Sequence, residues 1–208
     1  MSRGRFITLE GGEGAGKSTQ AALLADALHE RRLTVLLTRE PGGTAGAEAI
    51  RGLLLAKEHD WGARAEALLF AAARADHVAR AIEPALAAGH WVVCDRYLDS
   101  SRAYQGGALA DADILALHGV GSGGLLPDCT FLLQADEQAV IDRLSARDGD
   151  QSDRIGGRPA DYHRAVAARF RAFAAAEPAR FITIDAAGTI PEVHTRILSA
   201  LAPLLVAA

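Results

Sequence analysis

Phe6-Ile7-Thr8-Leu9-Glu10-Gly11-Gly12-Glu13-Gly14-Ala15-Gly16-Lys17-Ser18 decides the fold of this 208-residue chain. Its first four residues read as a buried strand, and Gly11 to Ser18 then fill the pattern G-x-x-x-x-G-K-[ST]. A loop that cradles phosphates must leave a strand, wrap backbone N–H groups around the anion and enter a helix whose N-terminus carries partial positive charge. The residues after Ser18 supply that helix, with Ala21, Leu24 and Leu28 on one face. Glycines let the backbone approach the anion, Lys17 reaches the terminal phosphates as a point charge, and the Ser18 hydroxyl can ligate Mg2+. The bland alternative is a Gly-rich turn. The strand before it, the helix after it and Lys17 as one of only two lysines argue against that.

Working outward, short apolar runs alternate with longer helical patterns. Phe6-Leu9, Val35-Thr38, Trp91-Cys94, Thr130-Leu133 and Phe181-Ile184 read as five strands, with intervals long enough for right-handed crossovers. Near-continuous apolar strands suit a parallel sheet covered on both faces, so the expected fold class is α/β, a doubly wound three-layer sandwich. The Ala-rich tracts Ala63-Ala88 and Ala165-Ala176 carry spaced Leu, Phe and Val residues and read as ordinary helices. Val193-Leu205 reads as a terminal packing helix, with Pro191 suited to its first turn. The polar stretch Arg147-Asp148-Gly149-Asp150-Gln151-Ser152-Asp153-Arg154 reads as a mobile loop.

Half of the residues are apolar, enough to bury one core, so residues 1–208 are expected to form a single domain. The net charge of −4, with dispersed arginines balanced by carboxylates, argues against nucleic-acid or anionic-membrane partners. Cys94 and Cys129 sit singly in apolar runs and read as buried thiols in a reducing compartment, without a disulfide or metal. Met1-Ser2-Arg3 leads directly toward a strand, and no apolar run approaches 18 residues. The expectation is a soluble, cytoplasmic protein. None of the seven histidines has metal-ligand spacing, and none is assigned chemistry.

A phosphate loop alone does not separate switches, motors and small-molecule kinases. A guanine-reading switch needs an N-K-x-D segment, which this sequence lacks. The third strand ends Val92-Val93-Cys94-Asp95-Arg96-Tyr97, one carboxylate followed by a cation, instead of the Asp-Glu of many motor ATPases. Asp95 at the strand end can hold Mg2+ directly or through water, while Arg96 points a guanidinium fork into the crevice where such sheets bind ligands. That pairing suggests two phosphate groups. Phe70 and Arg74 are four apart on a helical pattern, so an aromatic plane and a guanidinium share a face that can receive a planar base. Core packing for Phe70 and a surface ion pair for Arg74 are the plain alternatives.

Leu9-Glu10-Gly11-Gly12-Glu13-Gly14-Ala15-Gly16-Lys17-Ser18-Thr19-Gln20, Thr38-Arg39-Glu40-Pro41-Gly42-Gly43-Thr44 and Asp95-Arg96-Tyr97-Leu98-Asp99-Ser100-Ser101-Arg102-Ala103-Tyr104-Gln105-Gly106 closely resemble thymidylate kinase. Leu125, Pro127-Asp128 and Asp153-Arg154-Ile155 match later landmarks in the same order. The resemblance implies the nucleoside monophosphate kinase fold with a five-stranded parallel sheet, transfer of the ATP γ-phosphoryl group to dTMP with Mg2+, and a homodimer. It implies ATP on Gly11, Gly12, Glu13, Gly14, Ala15, Gly16, Lys17, Ser18 and Thr19, with Mg2+ on Ser18 and Asp95. For dTMP it implies Phe70 stacking on thymine, Arg74 hydrogen-bonding the base, and Ser101 and Gln105 near its polar edge. Arg51 and Arg96 would grip the 5′-phosphate, Glu13 would approach the 3′-hydroxyl, and Tyr104 would crowd the place of a 2′-hydroxyl. Another nucleoside monophosphate or deoxynucleoside kinase, or a nucleotide-dependent binding module, is the rival reading.

The chain departs from the pattern in two places. Eukaryotic members carry an arginine within the phosphate loop, where this chain has Glu13-Gly14-Ala15-Gly16. The bacterial form draws that charge from a lid, expected at 147–158, with Arg147 and Arg154 as catalytic candidates beside Lys17 and Arg96. The lid itself is atypical, with Asp148-Gly149-Asp150-Gln151-Ser152 before the Asp-Arg pair and Gly156-Gly157-Arg158 after it. Arg158 is expected at least equally as a surface ion pair.

Overall fold

The computed structural model describes residues 3–136 and 154–206. All five apolar runs are strands, each continued to a polar residue at its carboxyl end: β1 Phe6–Glu10, β2 Val35–Arg39, β3 Trp91–Asp95, β4 Cys129–Gln134 and β5 Phe181–Asp185. They pair in parallel in the order β2-β3-β1-β4-β5. β1 therefore lies at the centre, and the order reverses beside it, where ligands of open α/β sheets bind. Glu10, Asp95 and Arg39 end up at this rim because each apolar run finishes one residue short of it.

Helices cover both faces: α1 Lys17–Glu30, α2 Ala45–Leu55, α3 Ala63–His77, α4 Glu83–Ala87, α5 Leu98–Gln105, α6 Asp111–Ser122, α7 Ala160–Ala176 and α8 Ile190–Val206. The period of two along each strand sorts the core into layers. Ile7, Leu9, Val93, Phe131 and Leu133 face α1 and α8, meeting Leu24, Leu28, Ile197 and Leu201. Phe6, Val92 and Cys94 face the other way, toward Val78, Ile82, Leu86, Tyr97 and Ile114. Each large side chain so buried contributes about 1.5–3 kcal/mol. Thr8 and Thr130 interrupt the second face, and their hydroxyls satisfy each other at 2.9 Å, with Arg180 Nη1 donating to Thr130 at 3.0 Å.

The tract read as helix over Ala63-Ala88 is helical throughout but widens at Val78–Ile82 into a π turn, where the Glu83 N–H reaches the Val78 carbonyl. Pro84 follows at once. It lacks an N–H and its ring would press on the carbonyl four residues back, which the wider turn relieves. Cys94 and Cys129 are buried free thiols, as expected. No described helix is long and apolar enough to cross a membrane.

Candidate active site

At the carboxyl rim, the turn after β1 brings the glycine loop against the start of α1. Gly11 has φ 141°, and a Cβ there would lie 2.5 Å from the Leu133 carbonyl oxygen, so no other residue fits. Gly16, with φ 92°, is the N-cap of α1 and makes no side-chain cap, leaving the first-turn N–H groups for an anion. Lys17 is buried, and its Nζ donates to Gly11 O at 3.1 Å and Gly12 O at 2.6 Å. Burial, and then the nearby Arg96 charge, push the Lys17 ammonium down to about 8. Triphosphate oxygens in its reach would favour the charged form and so offset both effects.

One cavity of about 760 Å³ runs from this loop to the inner faces of α3 and α5. Glu13 to Thr19 line it at the loop, and Arg51, Phe70, Arg74, Ser101, Tyr104 and Gln105 line it from the helices, with Asp95 and Arg96 on the same cavity. Arg96 spans the two groups. Its Nη2 pairs with Glu13 Oε1 at 2.5 Å, and its Nη1 reaches Gly11 O, Ser100 Oγ and Tyr104 Oη at 3.2–3.4 Å. Arg96 adopts φ 68°, a left-handed conformation that costs a non-glycine residue about 1–3 kcal/mol and persists here because packing fixes it. Tyr104 Oη also donates to Glu13 Oε1 at 3.2 Å, so the loop acid sits between the cation and the phenol.

The groups at the helix end of the cavity are held by carboxylates. Arg74, 3 % exposed, gives Nε to Glu40 Oε2 at 2.7 Å and Nη2 to Tyr97 O at 3.2 Å and Ser101 Oγ at 2.9 Å. His77, fully buried, places Nδ1 3.1 Å from Glu40 Oε1 and Nε2 2.7 Å from Thr38 Oγ1. Arg74 is therefore no surface pair, and His77 has a structural task. Phe70 is half-buried, packs against the cluster that holds Tyr104 and Phe170, and also lines the cavity, so core packing is only part of its role. Arg51 Nη1 donates to Pro41 O at 2.8 Å.

Helix α5, which carries Ser101, Tyr104 and Gln105, has Tyr97 as an N-cap without a side-chain bond. Glu10, from the end of β1, caps it instead. Its Oε1 accepts from Tyr97 N at 2.8 Å and Ser100 N at 3.2 Å, and its Oε2 accepts from Ser100 Oγ at 2.7 Å. Burial, with Asp99 as a second cause, raises the Glu10 carboxyl to about 7. Asp99, fully buried, pairs within α5 with Arg102 at 3.0 Å and ties the helix to Arg180 at 2.6 Å.

Comparison with known proteins agrees with this geometry. A family model described as Thymidylate kinase matches residues 9–197. A thymidylate kinase of Rhizorhabdus wittichii is 60% identical over 205 residues, 97% of this chain and 99% of its own length. The chain belongs to the thymidylate kinase family. A thymidylate kinase of Gluconobacter oxydans is 48% identical over 203 residues, 95% of this chain and 94% of that one. The crystal structure of thymidylate kinase from Ehrlichia chaffeensis superposes with TM-score 0.76 at 31% identity, covering 96% of this chain and 99% of that chain. The fold is thus the α/β nucleoside monophosphate kinase fold, and the protein is an ATP-dependent phosphotransferase of the thymidylate kinase family.

Within this thymidylate kinase fold, Ser18 Oγ donates to Asp95 Oδ2, while Asp95 Oδ1 is buried without a hydrogen-bond partner among the described residues. A hydroxyl and an orphaned carboxylate oxygen beside a phosphate loop are hard oxygen donors that fit Mg2+. Of the lid candidates, Arg147 lies outside the described residues. Arg154 gives Nε to Leu54 O at 3.0 Å and Nη2 to Glu66 Oε2 at 2.6 Å. Arg158 shares that carboxylate oxygen at 2.6 Å. Glu66 is 3 % exposed, so the surface pair expected of Arg158 is instead a contact to a buried acid. Gly156 and Gly157 fall between these two arginines, in the turn that precedes α7.

Proposed function

We propose that the protein transfers the γ-phosphoryl group of ATP to the 5′-phosphate of dTMP, giving ADP and dTDP. The observation that carries this reading is the single cavity with a phosphate loop at one end, Phe70, Arg74 and Gln105 at the other, and Arg96 touching both groups. Thymine stacks on Phe70, with Arg74, Ser101 and Gln105 along its polar edge. Arg51 and Arg96 hold the 5′-phosphate, Glu13 meets the 3′-hydroxyl, and Tyr104 fills the space a ribose 2′-hydroxyl would need.

A phosphomonoester has its second pKa at about 6, so dTMP arrives largely dianionic and needs no strong base. One of its oxygens bonds to the γ-phosphorus as the bond to the β–γ bridging oxygen breaks, and ADP leaves with that electron pair. The obstacle is repulsion between two anions. Unit charges about 4 Å apart interact by about 4 kcal/mol at an effective dielectric constant of about 20, so each positioned cation offsets a sizeable part of it. Lys17 and Arg96 supply two. Ser18 and Asp95, the latter directly or through water, would hold Mg2+, which when bound supplies further neutralisation of the donor phosphates. The phosphate loop lacks an arginine, as in the bacterial form of the family, so the remaining cation comes from a lid at 147–158, through Arg147 or Arg154. Closure of that lid excludes water and suppresses ATP hydrolysis. The single domain acts as a cytoplasmic homodimer.

A steady-state comparison of dTMP, dUMP, UMP, dCMP and dGMP tests the substrate, and dTMP failing to outrun the others would overturn it. Lys17→Ala should lower kcat by orders of magnitude in a folded protein. Arg147→Ala and Arg154→Ala test the lid: if neither lowers kcat by more than about tenfold, about 1.4 kcal/mol of barrier, the lid-arginine assignment fails.

A further inference from the structure

Three donors converge on Glu66, which stands in the first turn of α3 behind the cavity. Its Oε2 accepts from Arg154 Nη2 and Arg158 Nη2, each at 2.6 Å, and its Oε1 accepts from Gln105 Nε2 at 3.1 Å. Gln105, 4 % exposed, does line the cavity, and its Oε1 is buried without a hydrogen-bond partner among the described residues. A carboxylate offers acceptor lone pairs only, so a primary amide can meet it only through nitrogen. The amide oxygen is thereby turned away from Glu66, in a residue that lines the cavity. An amide free to turn over would present a donor to one ligand and an acceptor to another, whereas this one presents an acceptor alone.

We infer that Glu66 is a specificity-determining positioning residue, which by holding the Gln105 amide through its nitrogen makes the pocket accept the N3–H of a 4-oxopyrimidine and reject a 4-aminopyrimidine. The N3 of an aminopyrimidine is an acceptor, and opposite Gln105 Oε1 it would place two lone pairs against each other. Arg74 completes the reading, since a guanidinium donates to a 4-oxo group and repels a 4-amino group. Two buried acids thus lock the two readers: Glu40 fixes the donor and Glu66 fixes the acceptor. Glu66 also ties that lock to the Arg154–Arg158 turn, which brings Ile155 onto the cavity. This inference rests on the dTMP reading above.

The test measures kcat and KM for dTMP and dCMP with the full-length protein. In Glu66→Gln the new amide can face Gln105 with either end, so Gln105 can turn over. The ratio of kcat/KM for dTMP to that for dCMP should fall by about tenfold or more, mainly through the KM of the monophosphate, with the KM for ATP unchanged. In a Gln105→Ala background, the same substitution should leave the ratio within about twofold, because the group it acts through is gone. Glu66→Asp keeps a negative charge for the two arginines while withdrawing it from Gln105, and should lose discrimination with a melting temperature nearer to the parent. It decides the matter if Glu66→Gln does not fold. An unchanged ratio in Glu66→Asp or Glu66→Gln, or an equal loss with and without Gln105, overturns the role of Glu66. A parent protein that does not prefer dTMP over dCMP overturns the substrate reading instead.

Discussion

Glu40→Gln is the sharpest probe of how the Arg74 end of the cavity is held. Glu40 is 5 % exposed and serves two partners at once, Arg74 Nε at 2.7 Å and His77 Nδ1 at 3.1 Å. The amide has nearly the same shape but one acceptor oxygen, so it either faces Arg74 with an N–H or gives up His77. Removing one charge of a buried pair costs about 3–5 kcal/mol, because the remaining charge stays desolvated. Arg74 keeps Tyr97 O and Ser101 Oγ, which places the cost at the lower end, about 3 kcal/mol. In a domain of this size each kcal/mol moves Tm by about 2–4 °C, so scanning calorimetry should show a drop of about 6–12 °C. The loosened guanidinium should also lower kcat/KM for dTMP at least about tenfold, read by coupled ADP release, with the KM for ATP little changed. A Tm within about 2 °C of the parent together with unchanged kcat/KM would refute the claim that Glu40 positions Arg74.

Other perturbations address the phosphate end. Lys17 is held down to about 8 by burial and by Arg96, so the free enzyme loses its ammonium as pH rises through that value. Triphosphate restores the charge, hence kcat/KM for ATP should fall above about pH 8 while kcat holds to higher pH; a flat kcat/KM profile to about pH 9.5 would contradict this. Gly11→Ala forces a Cβ against Leu133 O at a φ of 141°, and should abolish tight ATP binding in a calorimetric titration, with retained affinity counting against the loop geometry. Asp95→Asn should raise the Mg2+ concentration needed for half-maximal activity by about tenfold or more, and an unshifted Mg2+ titration would remove Asp95 from the metal site.

The sequence was a good guide wherever a property belongs to one continuous stretch. Five apolar runs became five strands, and each was read slightly short because the terminal Glu10, Arg39, Asp95, Gln134 or Asp185 is polar, although the hydrogen-bonded ladder extends to it. Phe70 and Arg74 were legible because helical spacing brings them to one face. Glu40, Glu66 and His77 were not, since their roles depend on partners 34 to 92 residues away and their own stretches give no pattern. Glu10 closes the first strand, and its task depends on donors at positions 97 and 100. A carboxylate closing an apolar strand just before a glycine loop was the signal, because a charge placed there needs buried donors, and the start of α5 provides them. The π turn at Val78–Ile82 had a local cause in Pro84, visible in the sequence but outweighed by the alanine-rich helical pattern.

The two thiols give the sheet a built-in reporter. Cys94 on β3 and Cys129 on β4 lie on the strands that flank β1, and burial raises both, Cys129 to about 12 and Cys94 well above the ordinary thiol range. Thiolate at neutral pH is therefore scarce as well as inaccessible, and alkylation must wait for the strands to part. The labelling rate at each cysteine becomes a clock for opening on either side of the phosphate-loop strand. A nucleotide that grips the loop slows both clocks, and unequal slowing tells which half of the sheet opens first.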